Sequence, residues 1–340
     1  HLLMEPQDEV DLSFINDLPE HVRVNTQEWL LDATRERWPD DASDVWRSMM
    51  SSAPLVLRVN LRRADRAGVI ARLRAEGITC EPGAYAPAAI VVHQRVNLLQ
   101  HGLYLDGIIE VQDEGSQLVG HACAVDARDT VLDACAGAGG KTLHLADLQG
   151  DAGAIVAHDV EWQRLKEIPT RARRAGLRSI QVLAPGSLLA TPQRGGRRPK
   201  NNHTRPLPRV PSTFDVVLLD APCSGLGTVR RMPMVKWRIT PELLERHARK
   251  QLLVMEQYVP YVADGGVLVY ATCSIMPQEN EHVVERFLAA HPEFVLEPIP
   301  WSTTPDMPAA LAQQGASGMF QADPFHHGTD GLFVARLRRV

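Results

Sequence analysis

The chain has 340 residues, 44% of them hydrophobic, which is enough for two domains with packed cores. No apolar run approaches the roughly 20 residues that cross a bilayer, so the composition excludes an integral membrane protein and predicts a cytoplasmic location with no membrane partner. The five cysteines are an odd number without a C-x-x-C pair. This pattern excludes a disulfide framework and a zinc site, so free thiols and no metal are expected.

The charge distribution gives no clear sign of a nucleic-acid partner. The net charge is −5 at pH 7, whereas proteins that contact phosphates usually carry a basic balance. Basic residues do cluster at 171–178, 194–209 and 230–238. Each cluster alone is more typical of a solvated surface than of a binding site.

The first part of the chain predicts a small α+β domain at residues 18–110. Residues 1–17 are interpreted as a tail, and its first three residues, which precede Met4, are candidates for an expression remnant. The predicted elements of the domain are an amphipathic helix around Trp29, a strand at 55–60, a helix at 66–76 and a strand at 90–92.

Residues 111–340 alternate short β-branched runs with helical stretches, the pattern of a doubly wound α/β fold. We expect a Rossmann-like sheet of seven strands. Residues 191–212 are rich in proline, arginine and glycine and predict a flexible surface insertion. The strands are predicted at 130–133, 154–157, 180–183, 214–219 and 267–270 and near Phe294 and Leu332, and the helices at 141–148, 161–175, 241–262 and 278–290, the last opened by Pro277.

A glycine-rich turn follows the first strand of this sheet and opens a helix. Such a turn lets a ligand approach the backbone closely, with helix N–H groups directed at it. A nucleoside-triphosphate loop would need glycine at position 135, and a dinucleotide fingerprint would need glycine at position 142. Neither motif is present, because the segment is Cys135-Ala136-Gly137-Ala138-Gly139-Gly140-Lys141-Thr142.

Asp159 follows the second strand, about 20 residues after the glycine turn. An acidic residue at this spacing in a doubly wound fold accepts hydrogen bonds from ribose hydroxyls. The same aspartate would also suit the start of the helix predicted at 161–175. Taken together with the glycine turn, this spacing favours ribose binding as the role of Asp159.

Two cysteines follow two further strands, at the point where each strand ends. Cys223 lies three residues after Asp220, and Cys273 lies in an Ala-Thr-Cys-Ser segment. Ligands of open α/β sheets bind at these carboxyl ends. A lone cysteine is more often a buried apolar residue, but two in matching positions predict a reactive site.

A thiol at this position suits methylation of a pyrimidine carbon. Carbon 5 of cytosine is a poor nucleophile, but addition of a thiolate to carbon 6 makes the ring an enamine that can attack an electrophilic methyl group. A base then removes the proton from carbon 5 and the thiolate leaves. Asp220 is placed to hydrogen-bond the N3/N4 edge of the base, or it caps the turn that follows its strand.

These segments resemble the Nop/Sun family of RNA cytosine-5 methyltransferases, in particular its RsmB type. The resemblance rests on the turn at 135–142 and on segments 220–224 and 271–280, and it extends from Trp29 to the last strand. In that family the Thr-Cys-Ser cysteine is the nucleophile, which implies this role for Cys273. The Pro-Cys cysteine assists product release, which implies that role for Cys223.

The resemblance also implies S-adenosylmethionine (SAM) as the cofactor. The turn departs from the usual Ala-Pro-Gly-Gly-Lys but keeps both glycines and the lysine, and an aspartate expected near the adenine is missing, since Ala-Pro-Gly-Ser stands at 184–187. The SAM contacts implied are Cys135, Ala136, Gly137, Ala138, Gly139, Gly140, Lys141, Asp159, Gly186 and Asp220.

RNA is the partner that the resemblance implies, with ribosomal RNA ahead of transfer RNA, and residues 18–110 are expected to bind it as part of a monomer. RsmB-type enzymes carry an additional N-terminal helical domain, for which residues 1–28 are too few. Arginines of 191–212 are candidates for phosphate contacts. A DNA methyltransferase and a non-catalytic RNA-binding ribosome assembly factor are the alternatives. Retention of both cysteines, Asp220 and Asp159 argues against the non-catalytic alternative.

Overall fold

The computed structural model describes residues 13–188 and 210–340 and contains two β-sheets. Most of the insertion predicted at 191–212 therefore lies outside the described residues, as does most of the predicted tail. Within the described ranges, no helix is both long enough and apolar enough to cross a membrane.

In the described part of the chain, three short α-helices precede the first strand, and the second and third of them pack on the larger domain. Trp46 and Leu30 are fully buried there against Leu226, Ile239 and Met276, which lie more than 170 residues later in the chain. The N-terminal helices thus form a core with the later domain and not with the small sheet. They are α1 (Glu20–Arg23), α2 (Glu28–Arg35) and α3 (Ala42–Ser48).

The smaller sheet is antiparallel, with the strand order β2-β3-β1-β4. Alternation along β1 buries Leu57 and Val59 against Leu73 of helix α4 and Ile90 of β3. The strands predicted at 55–60 and 90–92 are present, while two three-residue edge strands were not predicted. The elements are β1 (Leu55–Val59), α4 (Arg66–Ala75), β2 (Cys80–Pro82), β3 (Ala89–Val92), α5 (Gly102–Leu105) and β4 (Ile109–Val111).

The larger sheet confirms the predicted Rossmann-like α/β fold. All seven predicted strands are present, and an eighth, β11, pairs with β12. The order is β10-β12-β9-β8-β5-β6-β7, in which β5 to β9 run parallel and β12 is antiparallel to β9. The strands are β5 (Thr130–Asp133), β6 (Ala154–Ala157), β7 (Ile180–Val182), β8 (Phe214–Asp220), β9 (Val262–Thr272), β10 (Phe294–Leu296), β11 (Met319–Ala322) and β12 (Leu332–Arg339).

Helices cover both faces of this sheet, so its central strands are apolar on both sides. Val216 and Leu218 of β8 face one core, while Val217 and Leu219 face the other. Parallel strands place their carboxyl ends at one edge. The ends of β5, β6, β8 and β9, which carry the predicted site residues, therefore meet there.

Proline accounts for two differences between the predicted and observed helices. The helix predicted at 161–175 is two helices, because Pro169 lacks an N–H and its ring clashes with an earlier carbonyl. The helix predicted at 241–262 ends at Tyr258, shortly before Pro260. The helices of this domain are α6 (Glu114–Ala122), α7 (Gly140–Leu148), α8 (Trp162–Leu165), α9 (Ile168–Ala175), α10 (Val235–Arg238), α11 (Pro241–Tyr258), α12 (Glu281–Ala290) and α13 (Ala309–Gln314).

Candidate active site

Cys223 and Cys273 come together at the carboxyl edge of the larger sheet. Asp220, the last residue of β8, pairs with Ala271 of β9, so the segments after these two strands start side by side. The two Sγ atoms lie 3.2 Å apart, and both cysteines are partly exposed. At this distance one thiol donates a hydrogen bond to the other sulfur.

This hydrogen bond shifts the pKa values of the two cysteines in opposite directions. It lowers the pKa of Cys273 below the ordinary value of 9.0, against the opposing effect of burial. The same hydrogen bond, together with burial, raises the pKa of Cys223 well above 9.0. Cys273 is therefore the thiol of the pair that ionises more readily, and Cys223 is the one that keeps its proton more firmly.

The buried carboxylate of Glu279 joins the two cysteine segments. Its Oε2 accepts hydrogen bonds from the hydroxyls of Ser224 and Ser274, each at 2.5 Å. Its Oε1 accepts from the Ser224 backbone N–H at 2.8 Å and from the Gln251 amide at 3.0 Å. Ser224 and Ser274 each follow a cysteine, so Glu279 fixes the distance between the two thiols.

The chain segment after Cys273 explains how this carboxylate reaches the interior. The helix predicted at 278–290 begins only at Glu281, because Pro277–Glu279 forms a 3-10 turn. Asn280 leaves the helical conformation, with φ −113° and ψ −100°. Its side chain accepts a hydrogen bond from the Thr272 hydroxyl at 2.6 Å and donates one to the Ser274 carbonyl at 3.1 Å. These residues belong to segment 271–280, on which the family resemblance rests, but their contacts were not predicted from the sequence.

The glycine turn adopts a backbone that needs its glycines. Gly137 has φ +52° and Gly139 has φ +86°, both in the left-handed region that other residues rarely occupy. A Cβ atom on Gly137 would lie 2.8 Å from the Arg164 guanidinium, and one on Gly139 would lie 2.6 Å from Ile168. The turn therefore packs closely against the helices that follow β6 and directs the start of α7 toward the sheet edge.

A cavity of about 290 Å³ lies beside this turn. Of the predicted cofactor residues, Gly137, Gly139, Asp159 and Gly186 do not line it, and neither cysteine of the predicted catalytic pair does. Side chains from the junction with the small sheet contribute to its wall. The lining residues are Val111, Gln112, Asp113, Ser116, Asp133, Cys135, Ala136, Ala138, Gly140, Lys141, Arg164, Arg171 and Asp220.

Lys141 and Asp220 form an ion pair between the turn and the end of β8. Lys141 Nζ lies 2.6 Å from Asp220 Oδ2. Burial alone would lower the pKa of Lys141, but the charge and hydrogen bond of Asp220 outweigh this effect and raise it. The lysine therefore stays cationic, and the pair connects the glycine turn with the cysteine segment that starts at Asp220.

Asp159 and Gly186 lie at the edge of this arrangement. Asp159 accepts hydrogen bonds from the N–H of Gly137 and from the N–H of Glu161, both at 2.8 Å. It thus holds the glycine turn and binds the backbone of Glu161, which is itself the N-cap of α8, so Asp159 does not cap that helix. Gly186 has φ +77° in an exposed turn after β7, with open space around it.

Sequence reasoning missed two arginines of the cavity. Arg164 and Arg171 both line it, and Arg171 donates a hydrogen bond to the Ala138 carbonyl at 2.6 Å. The two arginines are seven residues apart, which places them on one face of the helix predicted at 161–175 and could have identified them as a pair. The sequence analysis noted Arg171 only as part of the basic cluster at 171–178. Across the part of the chain that the structure describes, no group of three or more His, Cys, Asp or Glu residues could hold a metal ion.

Two family models match the chain. One, described as 16S rRNA methyltransferase RsmB/F, matches residues 121–338. The other, described as the ferredoxin-like domain of RsmF/B-like methyltransferases, matches residues 27–99. The first covers the larger sheet with the cysteine pair and the glycine turn, and the second covers most of the smaller sheet.

Individual proteins agree with these models. The chain is 33% identical over 313 residues to the probable ribosomal RNA small subunit methyltransferase B of Bacillus subtilis, which covers 92% of this chain and 66% of that protein. It is 31% identical over 316 residues to the protein of the same name from Synechocystis, with the same two coverages. The chain thus spans just under two thirds of the length of these relatives.

The fold agrees with a solved structure of a methyltransferase homolog protein from Pyrococcus horikoshii. The TM-score is 0.74 at 23% identity, over 97% of this chain and 100% of that chain. The family predicted from the cysteine and glycine motifs is confirmed by the model that matches residues 121–338. The chain belongs to the RsmB/F family of 16S rRNA methyltransferases.

Proposed function

We propose that the protein is a SAM-dependent RNA (cytosine-5)-methyltransferase that acts on small-subunit ribosomal RNA. The observation that carries this proposal is the pair of sulfur atoms of Cys223 and Cys273, 3.2 Å apart at the edge where such sheets bind ligands. Methylation at carbon 5 needs one group that attacks the ring and a second that helps to release the product. The pKa values of the two thiols are shifted in opposite directions, lower for Cys273 and higher for Cys223, as these two roles require.

Cys273 carries the attack. Its thiolate forms a bond to carbon 6 of the cytosine, and the electron pair of the 5,6 double bond moves onto carbon 5 and the ring nitrogens. Carbon 5 thereby becomes nucleophilic. Asp220, held by Lys141 at 2.6 Å, lies one strand end away and is the acceptor we assign to the exocyclic amine of the base.

Cys223 acts after methyl transfer. The largest cause of its raised pKa is the hydrogen bond to Cys273, and this cause disappears once the Cys273 sulfur is bonded to carbon. Cys223, which is partly exposed, then gives its proton to solvent, and the resulting thiolate accepts the proton from carbon 5. The carbon–hydrogen electron pair re-forms the 5,6 double bond, and the carbon–sulfur pair returns to Cys273.

The cavity beside the glycine turn fits SAM. Its volume of about 290 Å³ lies near the lower end of typical cofactor sites. Asp133 lines it and has a buried Oδ1 with no hydrogen-bond partner, a suitable neighbour for a cationic ligand. SAM supplies an electrophilic methyl group when bound. The residues that would hold it are the turn from Cys135 to Lys141, with Asp133 and Asp220.

RNA as substrate follows from the relatives and from the chemistry. The two bacterial relatives are named for the small ribosomal subunit RNA. A base must leave its stack to reach Cys273, which favours single-stranded or partly assembled RNA over a duplex. We assign RNA binding to residues 18–110, of which 27–99 match a ferredoxin-like domain model.

Trapping of the covalent intermediate tests this function. Purified Cys273→Ala protein should transfer no methyl group, whereas Cys223→Ala protein should accumulate as a complex with small-subunit RNA that survives a denaturing gel. Cys80→Ala, which changes a buried cysteine of the small sheet, is the matched control and should behave as wild type. Full activity of Cys273→Ala would contradict the mechanism. Adducts formed with transfer RNA alone would contradict the proposal that small-subunit ribosomal RNA is the substrate.

A further inference from the structure

Two arginines hold backbone carbonyls of the glycine turn. Arg58 Nη1 donates to the Gly140 carbonyl at 3.0 Å, and Arg171 Nη1 donates to the Ala138 carbonyl at 2.6 Å. These carbonyls lie on either side of Gly139, where the backbone is left-handed. Because a peptide group is planar and trans, fixing a carbonyl also fixes the direction of the N–H across the same bond.

Both arginines depend on the small sheet. Arg58 itself lies in β1 and is only 4% exposed. Arg171 comes from α9, but its Nη2 binds the buried Glu110 of β4 at 3.0 Å. Arg58 and Glu110 are directly opposite each other in the β1–β4 register. One cross-strand pair of the small sheet therefore controls both carbonyl contacts of a turn that belongs to the other sheet.

The surroundings of Arg58 indicate a positioning role. Its hydrogen-bond acceptors are neutral, the Gly140 carbonyl and the Gln112 side chain, and its Nε has no partner. Burial lowers its pKa to about 10, so it remains charged at neutral pH. Burial, and next the Arg58 charge, lower the pKa of the neighbouring His121 to about 4, so this imidazole stays neutral. The charges of Asp147 and Glu110 raise its pKa without a hydrogen bond to it, so folding alone gains little from this buried charge.

We propose that Arg58 and Glu110 are positioning residues for the cofactor turn, so that the small sheet sets the affinity of the larger domain for SAM. Neither residue lines the cavity beside the turn, so their effect passes through the backbone of Ala138 and Gly140. This inference rests on the proposed function, because that function identifies SAM as the ligand of the turn.

The test is calorimetric titration of the full chain with SAM. Arg58→Lys keeps the charge but loses the planar donor group, and Glu110→Gln keeps the shape but weakens the hold on Arg171. Each should bind SAM about tenfold more weakly, the size expected for loss of one charged hydrogen bond. Arg63→Lys is the matched control, since Arg63 donates to the Arg174 carbonyl at 3.0 Å across the same junction without touching the turn.

The readouts separate positioning from folding and from failure of the proposed function. The KM for SAM should rise in both variants, while kcat at saturating SAM stays near wild type. Glu110→Gln keeps the test decisive if Arg58→Lys fails to fold. Wild-type protein that does not bind SAM would contradict the proposed function. Wild-type protein that binds SAM, with both variants equal to Arg63→Lys, would overturn only this inference.

Discussion

The Thr142 hydroxyl donates a hydrogen bond to Asp133 Oδ2 at 2.6 Å, while the other oxygen of Asp133 is buried without a partner. Burial dominates over this hydrogen bond and raises the pKa of Asp133 to about 7. The carboxyl group is therefore partly protonated at neutral pH. It faces the cavity that we assign to a cationic cofactor.

Binding of SAM should therefore release a proton from Asp133. A positive ligand favours the carboxylate, so affinity should increase as the pH rises through about 7, by at most about tenfold per pH unit. Calorimetry at pH 7 in two buffers with different ionisation enthalpies measures the released proton. Asp133→Asn should abolish both the release and the pH dependence. Asp129→Asn, at the opposite end of the same strand, should retain them.

The difference between the pKa values of the two cysteines can be measured by chemical modification. Cys273 should react with iodoacetamide with a midpoint below pH 9.0, and Cys223 only well above it, because the hydrogen bond between them shifts their pKa values in opposite directions. Peptide mass spectrometry over a pH series gives both midpoints. In Cys223→Ala protein the Cys273 midpoint should move up, since its hydrogen-bond donor is gone. Equal midpoints in wild-type protein would exclude the assignment of attack and release.

Glu279→Gln should weaken both the active site and the fold. The carboxylate accepts four hydrogen bonds from Ser224, Ser274 and Gln251. An amide in its place directs its N–H₂ group at groups that are themselves donors, so some of these hydrogen bonds are lost. We expect a loss of about 1–3 kcal/mol in the free energy of unfolding and a lower kcat. Urea denaturation and steady-state rates measure the two effects. Glu285→Gln, on the exposed side of α12, should change neither.

Local patterns were sufficient to predict the strand ends that carry the site. The glycine turn and the two cysteine segments each follow an apolar run and precede a helix or a turn, so their position at the sheet edge follows from short stretches of sequence. The break at Pro169 was also present in the sequence and was overlooked. The short edge strand β11 was missed because four residues give too little alternation to separate it from a loop.

The contacts that organise the site were not predictable in this way. Ser224 and Glu279 are 55 residues apart, and Arg58 and Gly140 are 82 apart. No local periodicity reports that such side chains meet. The sequence pattern can show only that a charged residue stands in an apolar segment. Its hydrogen-bond partners are seen only in the folded structure, in which both sheets are present.

A buried ion network joins the segment after Cys223 to the last strand and gives a final prediction. Asp330 accepts hydrogen bonds from Arg230 at 3.0 Å and from Arg231, and Arg231 also binds Asp113 at 3.0 Å. Burial, and next the charge of Asp330, raise the pKa of Asp113. The ionised form of Asp113 is therefore destabilised in the folded protein. Asp330 is the carboxylate that compensates Arg230, whose side chain is only 4% exposed.

Removal of the two carboxylates should therefore have unequal effects. Asp330→Ala leaves Arg230 buried without a hydrogen-bonded counter-charge and should lower the free energy of unfolding by about 3–5 kcal/mol. Asp113→Asn removes one of two repelling carboxylates while keeping the shape, so its cost should be clearly smaller. Asp44→Ala, which breaks only the exposed pair with Arg47, serves as the surface control. Equal losses for Asp330→Ala and Asp113→Asn in urea denaturation would show that Asp330 does not have the compensating role, because the asymmetry depends on its two arginine partners.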